Sequence, residues 1–426
     1  MTAPGAGSGR TLGKGVRYLG ASIGPVYSAG AQFLLWLVLL HGLDQREFGA
    51  FSLLLIASQL SAALWSALFC APLPILFHAC SGEERERLLT CLFSTNLVFA
   101  IFTILFFWLM ALALDVPLAA AMLFAIYACI SLLRGFARAH AYVSDAPLRT
   151  IASDNVYATV LMVGVGLCLL YGQSSLLLAY GSLLAGAVIG LLPFGRAYFK
   201  RQFAAFSPSS VRSYSAIWKR HSGWSLVGVI AVEATANAHA YIVTGLLGPA
   251  GFAPLAASAL VTRPINVALN ALAEFERAQM ARFLGQERIA EARAAMRYFQ
   301  LTMIGAWVIA MVAGGALLMI APHLLFPRKY DLGFLVVAAA LWMLVSFVRL
   351  WRTPVSTMLQ AAGAFRTLAI ASIYSAGVSI VTVVALLLLQ GPLWSIVGIF
   401  IGELTFALIC LARLPTVAPR PQRARV

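Results

Sequence analysis

Gly42, Leu43, Phe48 and Ala50, followed by Gly82, Glu84 and Arg85, return in the same order as Gly245, Leu246, Phe252 and Ala253, followed by Gly285, Glu287 and Arg288, about 203 residues on. A second echo sets Leu148, Arg149, Thr150, Ile151 and Ala152 against Phe365, Arg366, Thr367, Leu368 and Ala369, at an offset of about 217. The difference needs an insertion of about 14 residues, most easily placed in a loop after residue 276. Both offsets are close to half of the 426 residues, so two homologous halves are expected. In a strongly apolar chain, duplicated halves are a usual build of an alternating-access transporter, with the substrate path between them.

Hydrophobic residues make up 61% of the chain and charged ones 11%, far from the soluble balance of about half apolar and a quarter charged. Stretches long enough for the roughly 30 Å hydrocarbon core read at 16–40, 48–77, 88–114, 117–142, 148–171 and 175–193, then at 224–247, 252–273, 300–320, 332–361, 366–389 and 392–414. The fold expected is therefore all-α and polytopic, with about 12 spans in two six-helix lobes. An even number of spans per half makes the repeat parallel rather than inverted.

Nearly all of the 30 Lys and Arg fall on one side of this arrangement, leaving Arg46, Arg328 and Lys329 opposite and Arg263 inside the membrane. The positive-inside rule then makes both termini cytoplasmic. The organisation read is a tail at 1–15, a first lobe at 16–195, a cytoplasmic linker at 196–223, a second lobe at 224–414 and a tail at 415–426. The first 15 residues lead into a full-length span without a small-residue cleavage site, and read as a tail rather than a signal peptide. The net charge of +15 is spread as one fringe, which fits topology and anionic membrane lipids better than nucleic acid.

The loops exclude several chemistries. The outer ones are short, with no room for a catalytic domain. The stretch 274–298 has helix-forming composition, with Glu287, Arg288, Glu291 and Arg293 spaced for intrahelical pairs, and reads as a surface helix along the bilayer. No glycine-rich phosphate loop, HExxH or GxSxG pattern occurs, so no hydrolytic site, metal or cofactor is expected, and a gradient-driven carrier is the simpler reading.

Polar groups inside the spans mark the candidate site. Glu233 and Asn237 lie one turn apart, with His239 about half a turn round, and Arg263, Asn266, Asn270 and Glu274 recur at the spacing of one helix face. A charge near mid-membrane costs at least about 2.5–3.5 kcal/mol on insertion scales, so the stripe faces protein or water. Glu233 and Arg263 have two readings, a functional site or a pair that locks two spans together. His239 is as well suited to packing as to carrying a proton. Arg134 and Arg138 have near-counterparts in Arg349 and Arg352. Their forked guanidiniums suit phosphate oxygens, though snorkelling to the interface reads equally well. A pseudo-twofold axis would set both pairs on the walls of one cytoplasm-facing cavity. Asp154 and Glu403 are further embedded acids, each either a coupling-proton site or an arginine's partner.

The segment Leu43, Asp44, Gln45, Arg46, Glu47, Phe48, Gly49, Ala50, Phe51, Ser52, the entry Gly223 to Gly228, the run Gly245 to Phe252 and the turn Gln360 to Gly363 complete the pattern. The chain resembles the polysaccharide repeat-unit flippases (Wzx type, serving O-antigen or exopolysaccharide) of the multidrug/oligosaccharidyl-lipid/polysaccharide exporter superfamily. The resemblance implies a carrier of the bacterial inner membrane that moves an undecaprenyl-pyrophosphate-linked oligosaccharide between leaflets through a cationic cavity. It further implies cooperation with a polysaccharide polymerase and a chain-length regulator. Arg263, Asn266, Asn270, Asn237, Arg134, Arg138, Arg349 and Arg352 would then bind substrate, and Glu233, His239, Asp154 and Glu403 would carry ion coupling. A drug or organic-cation antiporter of the same superfamily is the alternative, and would need an acidic, aromatic cavity. A membrane-embedded glycan polymerase would need a large outer loop that the chain lacks.

Overall fold

The computed structural model describes the backbone of residues 8–414 apart from 71, 172–174 and 205. The ends 1–7 and 415–426, which hold part of the expected first tail and all of the second, lie outside the described residues, as do some side chains within helices, those of Asn270 and Glu274 among them. Among the described residues every regular element is a helix. That follows from the composition, because a helix satisfies its own backbone hydrogen bonds where the surroundings offer none.

The first helices are α1 (Ser8–Gly42), α2 (Gln45–Trp65), α3 (Pro72–Ala79), α4 (Gly82–Ala113), α5 (Leu118–Val143), α6 (Pro147–Tyr171), α7 (Leu176–Ile189), α8 (Gly195–Phe199) and α9 (Pro208–Ile217). They continue as α10 (Gly223–Ala259), α11 (Arg263–Gly285), α12 (Ile289–Ile320), α13 (Pro322–Leu325), α14 (Leu332–Ala361), α15 (Phe365–Gln390) and α16 (Ser395–Arg413). Local signals set their ends. Ser175 caps α7 by accepting from the Leu178 amide at 3.2 Å. Asp331 caps α14 through the amides of Gly333 and Phe334 at 3.1 and 3.2 Å.

Eleven segments among the described residues are long and apolar enough to cross a membrane, one fewer than the about 12 read from sequence. The difference lies at 252–273. Its apolar part, to Ala259, continues α10 across a kink at Gly248 (φ 73, ψ 174) followed by Pro249. A 3₁₀ turn at Leu260–Thr262 follows, and α11 starts at Arg263 with Pro264 in its first turn, where the missing amide costs nothing. α11 carries Arg263, Asn266 and Asn270, too polar to count as a span on composition. The surface helix expected at 274–298 is not a separate element either. α11 runs into its first part, Gln286 and Glu287 turn the chain with Glu287 at φ 60, and α12 takes the remainder. Arg288 and Glu291 do pair there, at i,i+3.

The chain divides into two compact units. Unit 1 is Met1–Gly42 with Ser61–Gly223, and unit 2 is Leu43–Leu60 with Trp224–Val426. The first part of α2, up to Leu60, thus belongs to unit 2, whereas the sequence reading sets it in the first lobe. Here the two copies of the opening repeat meet. A Cβ on Gly49 would fall 1.9 Å from the carbonyl oxygen of Pro249, so only glycine allows this approach. The Lys329 ammonium donates to the Leu43 carbonyl, and Gln45 Nε2 donates to the Lys329 carbonyl at 2.9 Å, tying the start of this segment to the loop before α14.

Packing in unit 1 centres on aromatic edges, with Phe93 and Phe136 at 5.0 Å and Phe124 and Tyr180 at 4.9 Å between centroids. In unit 2, α11, α12, α14 and α16 share a sulfur-rich core that includes Met280, Met296, Met303 and Met358. Faces of α4 (Phe102, Leu105, Leu109) and α12 (Ile309, Val312, Met319) are exposed, as apolar surface meant for lipid is.

Candidate functional site

Each unit buries one carboxylate between two arginines. In unit 1 the acid is Asp154 on α6, its side chain 2% exposed. Arg134 and Arg138, one turn apart on α5, project from one helix face. Arg134 Nη2 donates to Asp154 Oδ1 at 2.5 Å, and Arg138 Nη2 donates to Oδ2 at 2.9 Å. Arg134 is held further. Its Nε donates to Ser153 Oγ at 3.0 Å, Ser153 Oγ donates to the Gly190 carbonyl at 2.6 Å, and the guanidinium lies 4.4 Å over the Tyr157 ring. Gln32 Nε2 on α1 donates to the Tyr157 hydroxyl at 3.0 Å, and Ser28 Oγ donates to the Asp154 carbonyl at 3.0 Å, which joins α1 to the cluster.

Arg138 differs from Arg134. Its side chain is 33% exposed against 11%, and its buried Nε has no partner among the described residues. One guanidinium therefore serves mainly as structure, and the other keeps donor capacity in reserve.

In unit 2 the acid is Glu403 on α16, 1% exposed. Arg349 Nε and Nη2, on α14, donate to Oε1 at 3.1 and 2.9 Å. Arg352, three residues on, donates from Nε to Oε2 at 2.5 Å and stacks 4.4 Å over the Phe406 ring. Asp154 and Glu403 thus stand as arginine partners, one of the two roles that the sequence leaves open for them.

The remaining candidates are dispersed. Glu233 on α10 is half-buried and accepts from Asn237 Nδ2 at 2.7 Å. His239 is buried, with its ring 5.2 Å from Trp342 and 6.0 Å from Phe252, and its Nδ1 lacks a partner among the described residues. That is an aromatic packing position with one polar atom left over. Arg263 and Asn266 are half-buried in the first turn of α11. The backbone of α11 keeps Asn270 on the same face as Arg263, but its side chain lies outside the described ones.

Sequence reading missed the groups that complete these clusters. Gln32, Ser153 and Tyr157 hold Arg134. A seam of hydroxyls joins α10, α15 and α16: Thr235 Oγ1 and Ser375 Oγ lie 3.2 Å apart, Ser375 Oγ donates to the Gly402 carbonyl at 2.8 Å, and Ser379 Oγ donates to the Thr235 carbonyl at 3.2 Å. The available signal was the i,i+4 spacing of Ser375 and Ser379 inside an apolar span. Hydroxyls are so common in spans that the spacing does not stand out.

No family model and no curated protein matches the sequence. Solved structures do match over nearly its full length. An inward-facing multidrug resistance MATE family transporter of the MOP superfamily superposes with a TM-score of 0.71 at 13% identity, covering 94% of this chain and 98% of that one. The chain has the fold of the MOP superfamily transporters. The lipid II flippase MurJ, in an inward closed conformation, gives 0.66 at 11% identity, over 93% of this chain and 87% of that one. A MOP superfamily transporter from Pyrococcus furiosus, described by the reverse polarity of its binding pocket, gives 0.58 at 15% identity, over 94% and 96%.

Proposed function

We propose that this protein is an alternating-access carrier of the bacterial inner membrane that flips a polyprenyl-pyrophosphate-linked oligosaccharide for surface or secreted polysaccharide synthesis, with both termini cytoplasmic. The observation that carries the reading is the two-to-one ratio of guanidinium to carboxylate in each unit. A buried ion pair that only stabilises needs one cation per anion, and even that is often no better than apolar packing. A surplus cation inside the membrane is costly, and an anionic headgroup repays that cost. Arginine forks are suited to pyrophosphate oxygens, and Arg138 retains an unused buried donor.

The residues assigned to the substrate are Arg138 in unit 1 and, in unit 2, Arg349, Arg352, Arg263, Asn266, Asn270 and Asn237. Arg134 belongs to the same cluster and positions the acid. The likeness to MurJ, named as a lipid II flippase, adds support from a protein whose cargo is a lipid-linked glycan. Coupling is assigned to Glu233, whose partner among the described residues is an amide rather than a guanidinium, so its carboxylate is not committed to arginines as those of Asp154 and Glu403 are. The same feature supports the second reading, proton-coupled export of organic cations, because such a carrier needs one embedded acid not already neutralised by arginine.

Proteoliposomes separate the two. A fluorescent lipid-linked oligosaccharide should become accessible to an external quencher in vesicles with wild-type protein and not with Arg263→Ala at equal protein content. An organic cation such as ethidium should not be moved by either. Ethidium uptake driven by a pH gradient, lost in Glu233→Gln, with no movement of the oligosaccharide, would transfer the assignment to the antiporter. Oligosaccharide transfer at the same rate with and without a pH gradient, in both wild type and Glu233→Gln, would remove Glu233 from coupling.

A further inference from the structure

Unit 1 carries a second basic constellation apart from its arginine–aspartate cluster. A cavity of about 250 Å³ is lined by His140 and Ser144 from the end of α5, Arg149 from α6, and Phe194, Tyr198 and Arg201 from the turns and short helix after α7. It falls below the roughly 300–1,000 Å³ typical of drug-sized ligands, a volume suited to a headgroup. The walls are fixed. His140 meets Phe93 edge-on at 5.2 Å. The Tyr198 hydroxyl points away into the core, where it donates to the Leu133 carbonyl at 3.3 Å. Arg149 Nη1 donates to the Phe194 carbonyl at 3.0 Å, satisfying the 3₁₀ turn that ends at Gly195.

These bonds leave donors over. Arg149 uses one guanidinium nitrogen on that carbonyl. Arg201 uses one on Glu86, at 2.5 Å. Glu86, paired with Arg201, is the acid set against the two arginines, so Arg149 and Arg201 leave the pocket an excess positive charge. Large apolar side chains are exposed beside it: Leu148, next to Arg149, is 77% exposed and Leu192, two residues before Phe194, is 61% exposed. Cationic donors over a small cavity with an apolar rim match the junction between a phosphate and its acyl chains.

We infer that this pocket binds the phosphate of an anionic phospholipid, with Arg149 and Arg201 on the phosphate oxygens and the acyl chains leaving past Leu148 and Leu192. The site lies within one unit and does not depend on the transport reading. A lipid here would bridge α5, α6 and the segment after α7.

The test uses the full-length protein in detergent, with phosphatidylglycerol or phosphatidylcholine added and retention counted by native mass spectrometry. Phosphatidylglycerol should be retained over phosphatidylcholine. Arg201→Gln leaves the Arg149 bond to Phe194 intact and should lower retention about fivefold, the equivalent of about 1 kcal/mol for one basic residue near the surface. Ala197→Trp, which fills the cavity without altering charge, should lower it as well. Arg293→Gln, at an exposed position on α12, should change nothing. Retention unaffected by both Arg201→Gln and Ala197→Trp, or lowered equally by Arg293→Gln, would overturn the site. Displacement of phosphatidylglycerol by equimolar inorganic phosphate would also overturn the lipid assignment, leaving a site for free phosphate.

Discussion

The two arginine clusters reach one charge ratio by different routes. In unit 1 the arginines are one turn apart on α5 and the acid sits on α6; in unit 2 they are three residues apart on α14 and the acid sits on α16. At the offset of about 217 residues, Asp154 falls on Ala371 and Glu403 falls on Gly186. The acid has therefore not been kept in place between the halves. What is common is two guanidiniums to one carboxylate, which points to the surplus cation rather than the ion pair as the useful product.

Their supports also differ. Arg134 has Ser153 and the Tyr157 ring besides Asp154, whereas Arg352 has the Phe406 ring besides Glu403. Removing the acid should therefore hurt unit 2 more. We expect Glu403→Gln to cost about 3–5 kcal/mol, the usual loss when a buried charge keeps no counter-ion, and Asp154→Asn to fall at the low end of that range. Thermal unfolding of detergent-purified protein, with expression yield alongside, measures both. An Asp154→Asn loss as large as that of Glu403→Gln would show that Ser153 and Tyr157 do not support Arg134.

Within unit 1 the comparison sharpens. Arg134→Gln removes charge-assisted bonds from a nearly buried group and should cost about 2 kcal/mol. Arg138→Gln, at a third exposed, should cost under about 1 kcal/mol yet slow oligosaccharide transfer more than Arg134→Gln does at matched folded protein. Parallel losses of stability and transfer in the two variants would make both arginines structural.

The all-helical, multi-span architecture was legible because apolar length and helix formation follow from composition. The arginine pairs stood out for the same reason: charge within a span is rare. The acid each pair would choose was not legible. Asp154 and Glu403 lie at least 16 and 51 residues from their arginines, and their pairing depends on which helices touch. The break at Leu260–Thr262 escaped because Arg263 and Pro264 sit inside an otherwise even apolar stretch, where hydropathy averaging hides a local start signal. Gln32 and Tyr157 escaped because one amide or phenol in a span is unremarkable until its neighbour is known.

The smallest expected effect comes from an acid without a guanidinium. Glu276 on α11 is half-buried, and no arginine is placed against it among the described residues. Burial alone pushes its carboxyl above the usual carboxylate value. A raised folded-state pKa means the folded protein holds this proton where the unfolded chain has released it. The group is therefore without cost at a pH below the ordinary carboxylate value, and it destabilises as pH rises through and beyond that value. Glu276→Gln should slightly raise the unfolding midpoint at pH 7 and leave it unchanged near pH 4, opposite in sign to Glu403→Gln at pH 7. A lowered midpoint at pH 7 would mean that a cation stabilises Glu276, and acids with and without arginine partners would no longer be separated by that partner alone.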